Sequence, residues 1–114
     1  MDQISVALIH KALDGLSMRA VATAENVANV GTEGYRPWIV SFETALKSAA
    51  QGTLADIGNV RPGMARAPAA AFGEQLRVDM ELATASETAL RYSALLDVLG
   101  RQMQISRASV MGGQ

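Results

Sequence analysis

Two stretches of the chain carry a helical hydrophobic rhythm, and the segment between them does not. In the first, Val6, Ile9, Leu13, Leu16, Ala20, Thr23, Val27 and Val30 follow one another at alternating spacings of three and four. That spacing keeps one stripe of a helix turned toward a partner helix. The stretch predicts a helix from about Asp2 to Asn29, with the Asp2 carboxylate accepting an orphan N–H at its start and Gly31 supplying the left-handed stop. Gly15, inside it, reads as a weak point. In the second, Val78, Leu82, Ala85, Ala89, Tyr92, Leu96, Leu99, Met103, Ser106 and Val110 repeat the rhythm and predict a helix from about Val78 to Met111. A second line through Leu95, Val98 and Ile105 widens its apolar face, which implies more than one packing partner.

The middle is set apart by its breakers. All three Pro and six of the ten Gly fall between Gly31 and Gly73. Ser41 to Ala50 reads as one short helix with Ser41 at its cap, and Gly58 to Phe72 as a mobile loop. No segment alternates cleanly with period two. Pro37 to Phe42 reads as a short extended piece, with Trp38 and Val40 on one face and Ile39 and Ser41 on the other. The expected fold is mainly α: two long N- and C-terminal helices (residues 1–30 and 78–114) forming a coiled-coil-like pair, joined by an irregular middle (31–77) with one short helix. At about 1.5 Å per residue the two arms are too long to fold into a ball, so the molecule should be elongated.

Composition narrows the chemistry. The 114 residues carry a net charge of −1, which gives no electrostatic basis for binding nucleic acid or an anionic membrane. Apolar residues make up 49% of the chain but aromatics only 4%, and twenty of the apolar residues are Ala. Alanine suits close helix contact better than a thick core. The absence of Cys excludes disulfides, zinc–thiolate sites and a cysteine nucleophile. No apolar run is long enough to insert in a bilayer. The start of the chain lacks the form of a secretory signal, so the expectation is a cytosolic protein or one exported without a cleaved signal.

Catalytic candidates are weak. His10, the one histidine, has no carboxylate clustered beside it to orient it as a general base. Asp79 and Glu81 stand two apart, a spacing that does not place side chains together on a helix. No phosphate loop, metal triad or nucleophile elbow is present, so no enzyme and no cofactor are expected.

The informative stretch runs from Ala24 to Arg36. Asn26 and Asn29 sit one turn apart at a helix end, followed by Thr32, Gly34 and Tyr35. Two readings of the residues stand: a helix terminus running into a turn, with Gly34 supplying the unusual backbone angle, or a pair of amides that bond another chain. The stretch resembles the N-terminal signature of the bacterial flagellar rod and hook axial proteins, an Ala- and Asn-rich helix end followed by Asn-x-x-Thr-Pro-Gly-Tyr. Asn26, Ala28, Asn29, Thr32, Gly34 and Tyr35 match, and Glu33 stands where the family usually has Pro. Glu87-Thr88-Ala89-Leu90-Arg91-Tyr92, with Leu95, Leu96, Leu99 and Gly100, is similar to the C-terminal helix of the proximal rod members of that family.

The resemblance implies a non-enzymatic structural subunit of the basal-body rod, located in the periplasmic part of the flagellum and exported through the flagellar type III apparatus. Its implied partners are other rod subunits, the adapter between membrane ring and rod, and the export apparatus, with self-association expected. Phe42 and Leu46 fit the family's export-gate pattern of a Phe, three residues and an apolar residue. They equally fit an i,i+4 anchor of a short helix. The packing positions implied for assembly are Val6, Ile9, Leu13, Leu16, Val27, Leu82, Tyr92, Leu96, Leu99 and Met103. Rival readings are a cytosolic helical adaptor or export chaperone, and a small secreted helical hairpin. The first usually forms acidic dimers, and the second carries a Trp-x-Gly turn, whereas here Ile39 and Val40 follow Trp38.

Overall fold

The protein is described from a computed structural model covering residues 1–68 and 73–112. Helix α1 (Gln3–Ala28) begins where Asp2 caps it, its carboxylate accepting the Ser5 N–H at 2.7 Å. A short strand β1 (Trp38–Ser41) follows, then helices α2 (Glu43–Ala49) and α3 (Leu54–Gly58), strand β2 (Gly63–Arg66) and the long helix α4 (Glu74–Gly112). The strands pair antiparallel, Trp38 opposite Arg66 and Ser41 opposite Gly63. The long helices also run antiparallel: the Val30 carbonyl accepts from Arg77, while Leu8 and Leu95 share a groove further along. The molecule measures 64 × 25 × 14 Å with a radius of gyration of 17.8 Å, well above the ~13 Å of a compact chain this size.

The two-armed architecture is the expected one, and the middle is more ordered than expected. It holds two short helices and a two-stranded ribbon instead of one short helix, a lone extended piece and a loop. The segment read as a mobile loop from Gly58 contains the buried Val60 and strand β2, while its residues 69–72 lie outside the described residues. Helix α3 carries a capping box, Thr53 Oγ1 accepting from Asp56 N while the Asp56 carboxylate accepts from Thr53 N. Ser41 does not cap α2, because it belongs to the ribbon; Phe42 takes that position, its N–H facing the Glu43 carboxylate at 3.4 Å. Gly31 is not the left-handed stop. Asn29 ends α1 with φ −113°, and the one positive φ among the described residues is at Gly34, 74°.

The core lies between α1 and the folded middle, away from most of the α1–α4 seam. Leu16 and Ala22 on α1 meet Val40, Phe42, Leu46, Ile57 and Val60, with Tyr92 and Leu95 of α4 at the margin. Of α4's 39 residues only Thr88 is fully buried. The side of α4 that turns toward α1 runs through Val78, Glu81, Ala85, Thr88, Tyr92, Leu95, Leu99 and Gln102. This shares every second position with the predicted seam. The alternating positions Leu82, Leu96 and Met103 are 51, 47 and 59% exposed. Their displacement follows from the helix wheel: a stripe wide enough for two partners presents only one edge to the first. Beyond Gln102 the last ten residues of α4, about 15 Å, are all exposed, α4 being thirteen residues longer than α1.

Gly15 is a seat for an aromatic ring. A β-carbon there would stand 2.6 Å from Phe42 Cε1 and closer to other ring atoms. Above the same ring lies the Arg19 guanidinium, 4.9 Å from its centroid. Arg19 also donates to both oxygens of Glu43 at 2.6 and 2.7 Å and to the Val40 carbonyl at 2.7 Å. One α1 arginine therefore ties the end of β1 to the start of α2 over the Phe42 ring, a planar fork matched to a carboxylate.

Two expected outcomes follow from this packing. Gly15→Ala should lower stability by about 1–3 kcal/mol in urea denaturation, because overpacking against the ring outweighs the ~1 kcal/mol better helix propensity of Ala; a stabilised variant would show that the ring is not seated there. The Arg19 hydrogen bonds, followed by the backbone N–H groups of Glu43 and Phe42, hold the Glu43 carboxyl down from 4.5 to about 2. Its contribution is complete above the ordinary carboxylate pKa and is lost as pH falls toward the lower value. The stability difference between the native chain and Glu43→Gln should therefore shrink between about pH 6 and about pH 2.5. A pH-independent difference would remove the ion pair from the account.

Candidate functional site

The signature stretch forms the corner where α1 ends, and its geometry is organised by one amide. Asn26 is 3% exposed. Its Oδ1 accepts from Trp38 N at 2.8 Å and from the Tyr35 hydroxyl at 2.9 Å. Its Nδ2 donates to the Trp38 carbonyl at 2.9 Å and to the Glu81 carboxylate at 3.2 Å. The Asn26 side chain thus pairs with the Trp38 backbone as a neighbouring strand would. The Trp38 N–H needs an acceptor and its carbonyl a donor, so only one orientation of the amide works. All its hydrogen-bonding capacity is used within the chain, which leaves none for a second one.

Asn29 and Thr32 act locally. Asn29 Nδ2 donates to the Glu25 carbonyl at 3.0 Å and its Oδ1 accepts from Thr32 Oγ1 at 3.2 Å. Successive turns follow, Thr32 N to Asn29 O at 2.9 Å and Tyr35 N to Thr32 O at 3.1 Å. Gly34, in the left-handed region that side chains resist, lets the chain reverse so that Tyr35 points back at Asn26. Burial pushes the Tyr35 phenol above its ordinary pKa, keeping it a proton donor to that oxygen. Glu33 is exposed on the same turn.

Arg66 closes the outer side. Its guanidinium lies 3.7 Å from the Trp38 ring centroid and 5.2 Å from that of Tyr35, and it donates to the Arg36 carbonyl at 2.7 Å. Arg36 in turn donates to the Ala67 carbonyl at 2.6 Å. Arg66 is the member of this corner that the sequence reading leaves out, while Trp38 enters it only as part of an extended piece and Glu81 only as a neighbour of Asp79.

The remaining singled-out residues are dispersed. Phe42 and Leu46 sit in the core, 5 and 9% exposed, and are joined by the i,i+4 relation of a short-helix anchor. Of the packing positions, Ile9, Leu13 and Leu16 are buried, and Val6, Val27, Tyr92 and Leu99 are half-buried. Leu82, Leu96 and Met103 lie on the open face of α4. His10 is exposed on α1. No three His, Asp or Glu side chains gather as a metal site among the described residues, and no described helix is long and apolar enough to cross a membrane. What this corner does is mechanical: it fixes the angle at which the chain leaves α1 and ties it to α4. No known family, curated protein or solved structure matches the chain.

Replacing the Asn26 amide nitrogen by a second oxygen tests the corner. Asn26→Asp would set a carboxylate against the Trp38 carbonyl and Glu81, and should cost about 3 kcal/mol or more at neutral pH, with part of the loss recovered in acid as the new carboxyl protonates. Tyr35→Phe, which removes only a hydroxyl, should cost about 1 kcal/mol. Chemical denaturation of both variants checks this; equal, small effects would show that the amide does not hold the corner.

Proposed function

We propose that this chain is a structural subunit of the flagellar basal-body rod, nearest in kind to the proximal rod members of the axial family. The observation that carries the reading is α4 itself. A 39-residue helix with a single fully buried residue and a long exposed apolar face is poorly served by its own chain and well suited to repeated helix–helix contacts. The Asn26 corner supports it: the residues that resemble the axial signature set the angle between the arm and the outward-lying middle, the geometry a tubular assembly would repeat. A heterologous contact repeated by a screw operation builds such a tube.

In this reading the work is torque transmission and involves no catalysis, cofactor, nucleic acid or membrane insertion. The subunit passes unfolded through the type III export apparatus to the periplasmic rod, where its neighbours are other rod subunits and the adapter to the membrane ring. Phe42 and Leu46, core residues of the folded chain, would be legible to an export gate only before folding.

Assembly and export separate at Leu99. It is half-buried where α4 passes α1, with its remaining surface on the open side. A carboxylate there should disrupt packing by about 3 kcal/mol, whereas transit of an unfolded chain does not depend on packing. In cells whose only copy carries Leu99→Glu, the subunit should leave the cytoplasm but not enter a rod, and the cells should be non-motile. Arg101→Glu, at an exposed position paired only with Asp97 at 3.1 Å, should be milder. Working flagella in the Leu99→Glu cells would overturn the axial role of α4 and favour a cytosolic adaptor.

A further inference from the structure

The open side of α4 carries a complete helical seam of its own. Leu82, Ala89, Leu96, Met103 and Val110 repeat every seven residues and are all exposed. Beside them, interleaved at spacings of three and four, run Asp79, Ser86, Ser93, Gly100 and Arg107. Together they make a face about 46 Å long, exposed among the described residues except at the half-exposed Gly100.

The order of residues in the second line says what fits. It is acidic at one end, basic at the other and small between, so it complements itself only when reversed. With a second copy laid antiparallel and Ser93 meeting its counterpart at the twofold axis, Asp79 of each copy faces Arg107 of the other, and Ser86 faces Gly100. The neighbouring apolar line then sets Leu82 against Met103 and Ala89 against Leu96 of the second copy. A parallel pair in register would oppose Asp79 to Asp79 and Arg107 to Arg107. The wider charge distribution agrees: Glu74 to Leu90 holds four acidic residues and one Arg, while Arg91 to Gly112 holds three Arg and one Asp. Gly100 supplies a separate argument. A glycine inside a helix costs about 1 kcal/mol relative to Ala. Its backbone needs no positive φ, and a β-carbon there would meet nothing within 4 Å. Nothing in this copy accounts for a glycine at that site, and a closely approaching second helix does.

We propose that the chain forms an isologous antiparallel dimer through this face of α4, with the twofold axis at Ser93. The proposal does not rest on the rod reading. It adds to it that the free subunit occupies, with its own copy, a face that a head-to-tail assembly would have to reopen.

The absence of native cysteine makes the geometry directly testable on the purified full chain. Under oxidation Ser93→Cys should give a disulfide-linked dimer. Asp79→Cys alone and Arg107→Cys alone should not, while a mixture of those two should cross-link to each other. Gly100→Leu, which has room in the single copy, should weaken dimerisation about tenfold or more in sedimentation equilibrium with its circular dichroism unchanged. Asp79→Arg should weaken it, and the double swap Asp79→Arg with Arg107→Asp should restore it. A chain monomeric at all concentrations, self-cross-linking through Asp79→Cys alone, or a Gly100→Leu dimer of native strength would each overturn the proposal.

Discussion

The fold depends on one buried side-chain amide standing in for a strand. A helix that ends and a strand that begins ten residues later have no backbone ladder in common, so the Trp38 N–H and carbonyl on the α1 side would be left unpaired. Asn26 supplies an acceptor and a donor at 2.8 and 2.9 Å, and its remaining capacity reaches Tyr35 and Glu81. Because a buried donor or acceptor left without a partner costs about 1–3 kcal/mol, the corner is strongly held once the amide is in place. The direction of β1, the placement of β2 against it and the entry of α4 beside α1 follow from that anchor.

From the anchor outward the two faces of α1 do different work. The face toward the middle holds the large apolar side chains, with Gly15 recessed for Phe42 and Arg19 clamping Glu43 above the ring. The face toward α4 meets smaller and polar groups of that helix first, Glu81 on Asn26, Ala85 and Thr88, whose hydroxyl donates to the Thr84 carbonyl, and larger ones, Tyr92, Leu95 and Leu99, further along. The first part of that seam permits close approach and buries little area, Tyr92 and Leu95 then reach the margin of the core, and beyond Gln102 the described part of α4 is exposed. Stability and availability are thus separated along the molecule, with a packed knot around the middle of α1 and a long helix held out from it.

That separation gives the proposed functions a common physical basis. A face on a rigid helix is already ordered when a partner arrives, so little conformational entropy is lost on binding. The charge gradient along α4 then makes any helix pairing directional, because reversal of one partner exchanges attraction for repulsion. Whether the partner is a second copy or a neighbour in a rod, the same alternating seam is the surface presented.

The local features of the chain were legible in its residues. The rhythm of Val6 to Val30 and of Val78 to Val110 specified two long helices, Asp2 marked a cap that is made, and Pro37 to Phe42 marked a short extended piece that contains β1. Thr53-x-x-Asp56 carried the signal for α3 as well, though the surrounding glycines masked it. Each of these is set by neighbours within a turn or two, where spacing alone determines which groups meet. Other features depended on contacts across the chain. Periodicity shows that α4 is apolar over a wide arc and leaves open which edge of the arc faces α1, so it does not distinguish Leu96, which borders the seam from outside, from Leu99 within it. Asn26 could be seen at a helix end, but its partner Glu81 lies 55 residues away and its two Trp38 bonds require a strand at a particular distance. Gly15 is a weak point by local spacing alone and a seat for a ring once Phe42 packs on it. Helix existence is a property of near neighbours and was determined by the sequence itself; which faces meet, and what a small or polar residue is for, is decided only when distant segments are brought into contact.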